Sequence, residues 1–582
     1  MASGSRAEYR IKVEKDVPAT MRDGTRLYAD IYRPDAAGRF PVILLRLPYG
    51  KHMAADFGDH EYFPARGYVV VIQDARGRFT SEGEYYPLIT EGEDGYDTVE
   101  WAARLPYANG VVGAQGQSYL GACQYQLAPT RPPSLACAFP VSAAADYHAS
   151  WTYQGGAFQL GWQLPYAIFM VRNTMERLGI KDELWPKLRP DLLRSINFGN
   201  PLTPDAYMRL PLMEWAELLA ETSPYLRDYL THPDDGPYWW PINIKRQHRN
   251  INLPMYHVSS WYDIFLNDAI VHFNGLRANA MTPAARGAQK LLLGPWAHLF
   301  PFTTPTTGGT GDIDFGPDAW MDLHETQIRW FDYWLKGIDT GIYDEPPIKY
   351  FTMGRNQWRD ASHWPLPETR YTPWYFHSDG HANTRHGDGV LSCEAPQAEP
   401  ADHFRYDPAD PVPTTGGNTL IIPVGVRDQR ELELRHDVLV YTSAPLAQEL
   451  EVTGPIKVVL HAASSARDTD FTAKLVDVRP DGYAQNIVDG IQRARYRDSA
   501  SRPTLLETGK VYEYTIDLWA TSHMFMAGHC LRVEISSSNF PRFDRNLNTG
   551  GEQSTGTTFV TAEQRVLHDA AHRSHILLPI IT

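Results

Sequence analysis

The chain has 582 residues, enough for about three to five domains at roughly 100–200 residues each. It carries 54 Lys and Arg against 69 Asp and Glu, a net charge of −15, which argues against non-specific binding to nucleic-acid phosphates. With 43% hydrophobic and 21% charged residues, the composition is that of a folded globular protein and excludes general disorder. Four scattered cysteines fit neither a disulfide framework nor a Cys-x-x-Cys zinc site.

The sequence predicts neither a membrane segment nor a bound cofactor. No apolar run approaches the 18 residues of a transmembrane helix, and the first residues, MASGSRAEYRIKVEKD, contain no apolar signal segment. We therefore expect no membrane partner and a cytoplasmic location, which suits the sparse cysteines. No spaced ligand set such as His-Glu-x-x-His and no glycine-rich phosphate loop is present, so we expect no metal and no other cofactor.

Short apolar runs alternate with helical patterns in two stretches of the chain. The strands predicted there are Arg26–Arg33, Pro41–Leu47, Tyr68–Ile72, residues 111–116, Leu135–Val141, Pro254–Val258 and Lys290–Leu293. The helices predicted there are Glu91–Leu105, one beginning at Tyr119, and Asp318–Lys336, which carries Trp320 on its apolar side and ends at Gly337. This alternation predicts a mainly parallel sheet with helices on both faces, an α/β fold.

Two regions depart from this alternation. Residues 147–250 are rich in aromatic residues at helical spacing and contain no buried-strand run, so we expect a helical insertion over the end of the sheet. After about residue 353 the helical signal fades; residues 380–418 are loop-like, and later segments alternate as short strands. The expected units are residues 1–146 with 251–355, residues 147–250, and an all-β sandwich over residues 356–582.

A serine stands where an apolar strand leads directly into a helix. Ser118 follows Gly116 and Gln117, so its side chain is expected at the carboxyl edge of the sheet, where open α/β sheets bind ligands. The usual nucleophile elbow is Gly-x-Ser-x-Gly, whereas here Leu120 takes the last position and the glycine follows at Gly121. From this motif alone, an ordinary helix-capping serine is as good an interpretation as a nucleophile.

An acid and a base follow two later strands. Asp263 stands a few residues beyond the strand Pro254–Val258, and His298 a few residues beyond Lys290–Leu293. A nucleophilic serine needs a base, and that base needs an orienting acid. The chain order Ser, Asp, His is that of α/β-hydrolases. The agreement of order, spacing and strand context predicts a triad of Ser118, Asp263 and His298.

These motifs together resemble the cocaine esterase family of serine hydrolases, whose relatives are the α-amino-acid ester hydrolases and the X-Pro dipeptidyl peptidases. The residues that carry the resemblance are GQSYLG at 116–121, WYD at 261–263, GPWAH at 294–298, LPYGK at 47–51, QDARGR at 73–78, SEG at 81–83, DTVEW at 97–101, WFDYWLKG at 330–337 and MGR at 353–355. The resemblance runs from about residue 10 to the end. It implies an α/β-hydrolase with a helical cap insertion and a C-terminal jelly-roll domain.

The resemblance also implies roles for individual residues. Ser118 is expected to attack an ester or amide carbonyl, with His298 as base and then acid and Asp263 as its orienting partner. The backbone N–H of Tyr119 is expected to be one oxyanion donor. The hydroxyl of Tyr49 is implied as the other, although the sequence alone would favour a packed aromatic residue there.

The residues that would bind substrate are less well specified. Asp146 and Tyr147 follow the strand after the nucleophile helix and could contact substrate, and a hinge of the cap or a helix N-cap is the alternative. The aromatic candidates for the pocket wall are Trp151, Trp261, Tyr262 and Phe265. The residues expected to hold loops near the nucleophile, rather than to act in catalysis, are Arg46, Asp74, Arg76 and Arg78.

We expect a serine hydrolase that cleaves the ester, or the amide, of a small acyl substrate. The amino-ester branch of the family binds an α-ammonium group with acidic residues near the triad Asp, but here Asp263 is followed by Ile264, Phe265 and Leu266, which leaves Asp146. X-Pro peptidases carry an additional N-terminal domain, whereas strands are predicted here almost at once. An α-amino-acid ester hydrolase or acyl transferase and an X-Pro-type aminopeptidase remain alternatives, with a non-catalytic binding protein as a remote one. The β-sandwich could supply the interface of a homo-oligomer.

Overall fold

Two large β-sheets organise the computed structural model of the chain. The structure describes residues 4–53, 59–187, 201–298 and 311–582. Parts of the predicted units lie outside the described residues, namely 1–3, 54–58 and 299–310 of the first unit and 188–200 of the helical insertion. Among the described helices, none is both long enough and apolar enough to cross a bilayer.

The first sheet has ten strands and a parallel centre. The strands of this half are β1 (Ile11–Thr20), β2 (Arg26–Pro34), β3 (Phe40–Leu47), β4 (Val69–Asp74), β5 (Ala108–Gln117), β6 (Leu135–Val141), β7 (Tyr153–Gln154), β8 (Ala157–Phe158), β9 (Met255–Tyr262), β10 (Gln289–Ala297), β11 (Ile348–Thr352) and β12 (Gln357–Ala361). Their order in the sheet is β1-β2-β4-β3-β5-β6-β9-β10-β11-β12. From β4 to β11 every pair is parallel, as the sequence predicts, and antiparallel strands flank this centre.

Helices cover both faces of this sheet. The helices outside residues 147–250 are Asp59–Tyr62, Glu91–Ala103, Tyr119–Leu127, Leu266–Asn279, Pro283–Gly287 and Leu323–Lys336. Strand β3 shows why two faces are needed, since its side chains alternate between them. Val42 and Leu44 join a core with the helix Glu91–Ala103, while Ile43 and Leu45 join a core with the helix Leu323–Lys336.

The helix Leu323–Lys336 is shorter than the sequence predicts. The carboxylate of Asp322 accepts hydrogen bonds from the backbone N–H groups of His324 and Glu325, and this N-cap starts the helix five residues later than expected. Trp320 therefore lies before the helix with 40% of its surface exposed, and is not part of the apolar face. Gly337, with φ of 68°, ends the helix as predicted.

The described residues between β6 and β9 are mostly helical. The helices there are Tyr147–Thr152, a single π-turn, and Leu160–Leu178, Lys181–Leu184, Trp185–Lys187, Pro204–Tyr207, Met213–Leu218, Tyr225–Thr231, Trp240–Ile242 and Ile244–Asn250. The sequence misses the hairpin β7–β8, because two-residue strands are too short to show a period of two. Trp151, Trp162, Trp215 and Trp239 are all buried in one aromatic core.

The last part of the chain forms the second, mainly antiparallel sheet. Its strands are β13 (Thr369–His377), β14 (Val390–Ser392), β15 (Asp402–Tyr406), β16 (Leu439–Thr442), β17 (Leu450–Ser464), β18 (Asp470–Val478), β19 (Ala484–Arg493), β20 (Tyr512–Phe525), β21 (Cys530–Ser536), β22 (Ala562–Leu567) and β23 (His575–Ile581). Their order is β15-β22-β17-β23-β13-β14-β16-β21-β18-β19, with β20 paired to β17. The segment 380–418, expected as loop, contains β14 and β15, whose short runs carry too few residues to show a pattern.

Candidate active site

Ser118 occupies a strained turn between β5 and the helix Tyr119–Leu127. Its backbone has φ of 60° and ψ of −125°, a combination that non-glycine residues rarely adopt. The space around the turn depends on two glycines: a Cβ atom on Gly116 would collide with Leu120, and one on Gly121 would collide with Ala143. The Ser118 N–H donates to the carbonyl of Val141 at 2.9 Å, which ties the turn to β6. The turn leaves the Ser118 side chain partly exposed at the carboxyl edge of the sheet.

His298 and Asp263 complete a chain of contacts that begins at Ser118. The Nε2 atom of His298 lies 3.0 Å from Ser118 Oγ, and its Nδ1 atom lies 3.2 Å from Asp263 Oδ1. His298 and Asp263 are fully buried, so the contact between the imidazole and the Asp263 carboxylate is shielded from water. This is the geometry in which an imidazole accepts a serine proton while a carboxylate fixes its tautomer.

Neighbouring groups hold the imidazole of His298 in this position. The side-chain amide of Gln117 donates to the His298 carbonyl, and the Ser260 hydroxyl donates to the Ala297 carbonyl at 3.2 Å. The ring of Phe265 lies edge to face against the imidazole, with ring centres 5.3 Å apart. Asp263 is fixed as well, because its Oδ1 also accepts from the Phe265 N–H at 2.7 Å.

Two hydrogen-bond donors face the serine. The hydroxyl of Tyr49, just after β3, interacts with the side chains of Ser118 and Tyr166. Burial raises the pKa of Tyr49 well above its ordinary value, so the hydroxyl stays protonated and able to donate. The N–H of Tyr119 opens the helix after Ser118, where the first N–H groups have no partner within the helix. The Tyr119 hydroxyl is turned away, since it donates to Glu91 at 2.9 Å.

The loop that carries Tyr49 is held by the QDARGR segment. Arg78 Nε donates to the Pro48 carbonyl at 2.8 Å, and Asp74 accepts from both the backbone and the ammonium group of Lys51, each at 2.8 Å. Arg46 and Arg76 form ion pairs instead, Arg46 with Glu91, and Arg76 with Asp94 and Asp23. These four residues contact other parts of the protein, in keeping with the loop-holding role expected from the sequence.

An aromatic and aliphatic wall lies next to the triad. Phe265 stacks on Trp151, with centres 5.4 Å apart and rings nearly parallel, and Trp151 in turn contacts Tyr119 and Tyr166. The same buried cluster includes Leu420, Ile421 and Ile422 from the C-terminal part of the chain. The sequence did not indicate these three residues, because nothing local connects an apolar triplet in a loop to a site so distant in sequence.

The structure places two of the expected pocket residues elsewhere. Trp261 donates its Nε1–H to the Phe351 carbonyl at 2.7 Å and stacks on Trp364, and the Tyr262 hydroxyl donates to the Asn486 carbonyl at 3.0 Å. Both belong to the core between β11 and the second sheet, apart from the cluster of Trp151 and Phe265. The reason is that β9 continues to Tyr262, so its last side chains pack between sheets.

The two residues after β6 also have structural partners. Asp146 is the N-cap of the turn Tyr147–Thr152, with one oxygen accepting from the N–H groups of His148 and Ala149 at 3.2 and 3.0 Å. Tyr147 is buried and donates its hydroxyl to the Ala144 carbonyl at 3.0 Å. The N-cap alternative for Asp146 is thus the one that the contacts favour.

The loop between β15 and β16 also contributes a contact near Asp263 that the sequence did not indicate. The side-chain amide of Asn418 donates to the carbonyls of Trp261 and Asp263, at 2.7 and 3.0 Å, across 155 residues of chain in the second case. Asn418 is buried, and its two hydrogen bonds fix the backbone on either side of Tyr262. Across the described ranges, no group of three or more His, Cys, Asp or Glu side chains is arranged to hold a metal ion.

Comparisons with known proteins bear on the family and the fold of the chain. Residues 23–300 match the family model of X-Pro dipeptidyl-peptidase (S15 family), and residues 340–577 match that of the X-Pro dipeptidyl-peptidase C-terminal non-catalytic domain. Cocaine esterase of Rhodococcus sp. (strain MB1 Bresler) is 38% identical over 98% of each chain. An aminopeptidase from a marine sediment archaeon, Thaumarchaeota archaeon, superposes with a TM-score of 0.82 at 26% identity, covering 99% of this chain and 97% of its own. An α-amino acid ester hydrolase superposes with a TM-score of 0.81 at 24% identity, covering 100% and 98%, which shows the shared fold.

Proposed function

The chain belongs to the cocaine esterase family and is a serine hydrolase of carboxylic esters. On this basis we propose that Ser118, His298 and Asp263 are its catalytic triad. The observation that carries the proposal is the unbroken contact from Ser118 Oγ through the imidazole to Asp263 Oδ1, at 3.0 and 3.2 Å. All three residues lie at or just beyond the carboxyl ends of the parallel strands β5, β9 and β10.

The reaction follows from these positions. His298 Nε2 takes the hydroxyl proton as Ser118 Oγ attacks the ester carbonyl, and Asp263 stabilises the imidazolium that forms. The Tyr49 hydroxyl and the Tyr119 N–H donate to the oxyanion, each worth about 2.7–4 kcal/mol by analogy with other oxyanion holes. His298 then protonates the leaving alcohol. A water molecule, deprotonated by His298, cleaves the acyl-enzyme and restores Ser118.

The acyl group that fits this site is apolar or aromatic. Trp151 and Phe265 stack on each other beside the proposed triad, and Leu420 and Ile421 belong to the same apolar cluster. Ile264, Phe265 and Leu266 follow Asp263 without a carboxylate, and Asp146 uses an oxygen to cap a turn. An α-ammonium group would therefore lose its water shell without gaining a free anionic partner there.

A second candidate is amide hydrolysis at a free N-terminus. It is favoured by the likeness to the archaeal aminopeptidase, which covers nearly the whole of both chains at 26% identity. The same acyl-enzyme would serve this reaction, and acyl transfer to an amine as well. The residues directly after Asp263 offer no free carboxylate to bind the α-ammonium group of an amino-acyl substrate. We therefore rank aminopeptidase activity and acyl transfer second.

The proposal includes the organisation of the chain. Residues 1–146 and 251–355 would form the catalytic α/β-hydrolase domain, residues 147–250 a helical cap, and residues 356–582 a jelly-roll domain. The cap assignment is supported by the helix Leu160–Leu178, which brings Trp162 and Tyr166 against Trp151 beside the site. The four unpaired cysteines are in keeping with a cytoplasmic location. The proposed binding partner is a small ester substrate, and we propose no nucleic-acid or membrane partner. A homo-oligomer is also proposed, and light scattering would test for it.

The test is hydrolysis of a small substrate panel by wild type and by Ser118→Ala. The panel pairs benzoyl and short aliphatic p-nitrophenyl esters with phenylglycine methyl ester and Gly-Pro-p-nitroanilide. We expect turnover of the benzoyl and aliphatic esters, loss of activity by at least about 1,000-fold in Ser118→Ala, and labelling of Ser118 by a fluorophosphonate probe.

The matched control is Ser134→Ala, whose hydroxyl donates to Glu100, and it should retain full activity. Preference for the amino ester or the anilide would replace the proposed substrate class with the second candidate. Full activity in Ser118→Ala would show that the nucleophile is a different residue.

A further inference from the structure

Arg78 is a buried cation without a carboxylate partner among the described residues. Its side chain is 2% exposed, and no Asp or Glu of the described ranges lies within ion-pair distance of it. Asp74, four residues earlier, is paired with Lys51 at 2.8 Å. Arginine stays charged in proteins, and burying a charge without a counterion lowers the stability of the fold. Such a charge calls for an explanation other than fold stability.

The contacts of Arg78 place this charge against the oxyanion loop. Its Nε donates to the Pro48 carbonyl at 2.8 Å, directly before Tyr49 in the chain. Its Nη1 reaches the helix Leu160–Leu178, donating to Met170 and Thr174 at 3.1 and 2.8 Å. The guanidinium also lies 5.0 Å from the ring of Tyr85, whose hydroxyl is 3.4 Å from that of Tyr166. Tyr166 contacts Tyr49, so Arg78 borders the cluster around the oxyanion donor.

We propose that Arg78 is a positioning residue that holds Tyr49 in place. Its positive charge also stabilises, through Tyr49, the negative charge of the oxyanion in the transition state. The inference rests on the proposed function of Ser118 and Tyr49. In the resting site the cation has no carboxylate partner among the described residues, and negative charge appears beside Tyr49 only as the tetrahedral intermediate forms. An interaction made only at that stage lowers the barrier without tightening substrate binding.

The electrostatics of Tyr49 agree with this placement. Burial is the main influence on its pKa and raises it, while the charge of Arg78 works in the opposite direction. A cation that favours negative charge on the Tyr49 oxygen also strengthens its hydroxyl as a donor. Arg78 therefore acts through Tyr49 and needs no contact with the substrate.

The test replaces Arg78 by Met, which has similar length and no charge, and by Lys, which keeps the charge. We expect kcat for p-nitrophenyl benzoate to fall about 100-fold in Arg78→Met and about tenfold or less in Arg78→Lys, with KM changed by no more than about threefold. The inhibition constant of an arylboronic acid, whose Ser118 adduct is a tetrahedral anion, should rise in proportion to the loss of kcat.

A residue that is only structural would give a different pattern. Arg78→Met also removes the donor to the buried carbonyls of Pro48 and Met170, so Tm is measured for every variant and kcat is compared at a temperature where all of them are folded. In a Tyr49→Phe background, Arg78→Met should cost much less than in wild type. Equal losses in both backgrounds, or KM and the boronate constant rising together, would overturn the inference.

The matched control is Arg177→Met. Arg177 lies on the helix Leu160–Leu178, which Arg78 also contacts, and it donates to the carbonyls of Phe79 and Gly83 in the loop that carries Arg78. Unlike Arg78, it is largely exposed. Its loss should change kcat by no more than about twofold, since it places no buried charge beside Tyr49. If Arg177→Met lost as much as Arg78→Met, anchoring of the loop would explain both and the inference would fail. If wild type itself were inactive and unlabelled, the proposed function would fail instead.

Discussion

The backbone of Ser118 shows how a single residue sets the conditions for the site. A non-glycine residue at φ of 60° and ψ of −125° costs about 1–3 kcal/mol, which the packing around the turn must offset. Gly116 and Gly121 make that packing feasible, because each lies where a Cβ atom would collide with a neighbour. The result is a side chain aimed at His298 Nε2, with the Tyr119 N–H next to it.

At the residue scale, we predict that Tyr49→Phe lowers kcat by about 100- to 1,000-fold with little change in KM, because one oxyanion donor is lost. Steady-state kinetics on p-nitrophenyl benzoate measures this. The matched control is Tyr86→Phe, whose hydroxyl pairs with Asp228 and Tyr238 and should be dispensable. A Tyr49→Phe enzyme with wild-type kcat would remove this hydroxyl from the mechanism.

The raised pKa of Tyr49 also predicts the alkaline behaviour of the enzyme. A tyrosine with an ordinary pKa near 10 would lose its donor proton as the pH approached that value. Burial raises the pKa of Tyr49, so kcat should not decline through an ionisation near pH 10 while the protein remains folded. A kcat profile from pH 7 to 10.5, with folding followed by circular dichroism, checks this. An ionisation near 10 that disappears in Tyr49→Phe would contradict it.

At the scale of elements, a buried ionic cluster ties β15 to the end of β22. His568 Nε2 lies 2.9 Å from Asp402 Oδ2, and its Nδ1 lies 3.1 Å from Glu399 Oε2. Burial opposes the charged form of His568, but Asp402 and Glu399 prevail and raise its pKa above 6.5. Burial likewise opposes the carboxylate of Asp402, but His568 and the Ala382 N–H prevail and hold its pKa below 3.8.

These two shifts predict how stability depends on pH. The contribution of His568 is complete below its unfolded pKa of about 6.5 and is lost as the pH rises through its folded pKa. That of Asp402 is complete above about 3.8 and is lost as the pH falls through its folded pKa. We expect His568→Gln to lower Tm more at pH 5.5 than at pH 8.5, as differential scanning calorimetry would measure. An equal loss at both pH values would contradict this.

At the scale of the whole molecule, a loop of the C-terminal half reaches the proposed active site of the first half. Asn418 precedes the apolar residues Leu420, Ile421 and Ile422, and this segment reaches from the second sheet to the triad. It holds the backbone carbonyls of Trp261 and Asp263 and adds aliphatic surface beside Phe265. These contacts indicate that the C-terminal part of the chain supports the proposed triad without supplying one of its residues.

We predict that Asn418→Ala lowers kcat by about tenfold, because two buried hydrogen bonds of about 0.5–1.5 kcal/mol each no longer fix the Asp263 backbone. The matched control is Asn383→Ala. Asn383 donates in the same way to two carbonyls, those of His403 and His436, but within the C-terminal domain. Kinetics of both variants would measure the difference. Equal kcat values would mean that the Asn418 contacts do not reach the reaction.

The sequence by itself determined the features that depend on local physics. Buried parallel strands need continuous apolar runs, a sharp turn needs glycines, and a triad needs its residues just beyond strand ends, so Ser118, Asp263 and His298 were visible as a pattern. Only the tertiary structure decided where Trp261 and Tyr262 pack, that Asp146 caps a turn, and that Asn418 and Leu420 reach the site. These contacts join segments that are far apart in sequence. The direction of a side chain at a domain interface depends on how whole sheets pack, so the local sequence carries no signal for it.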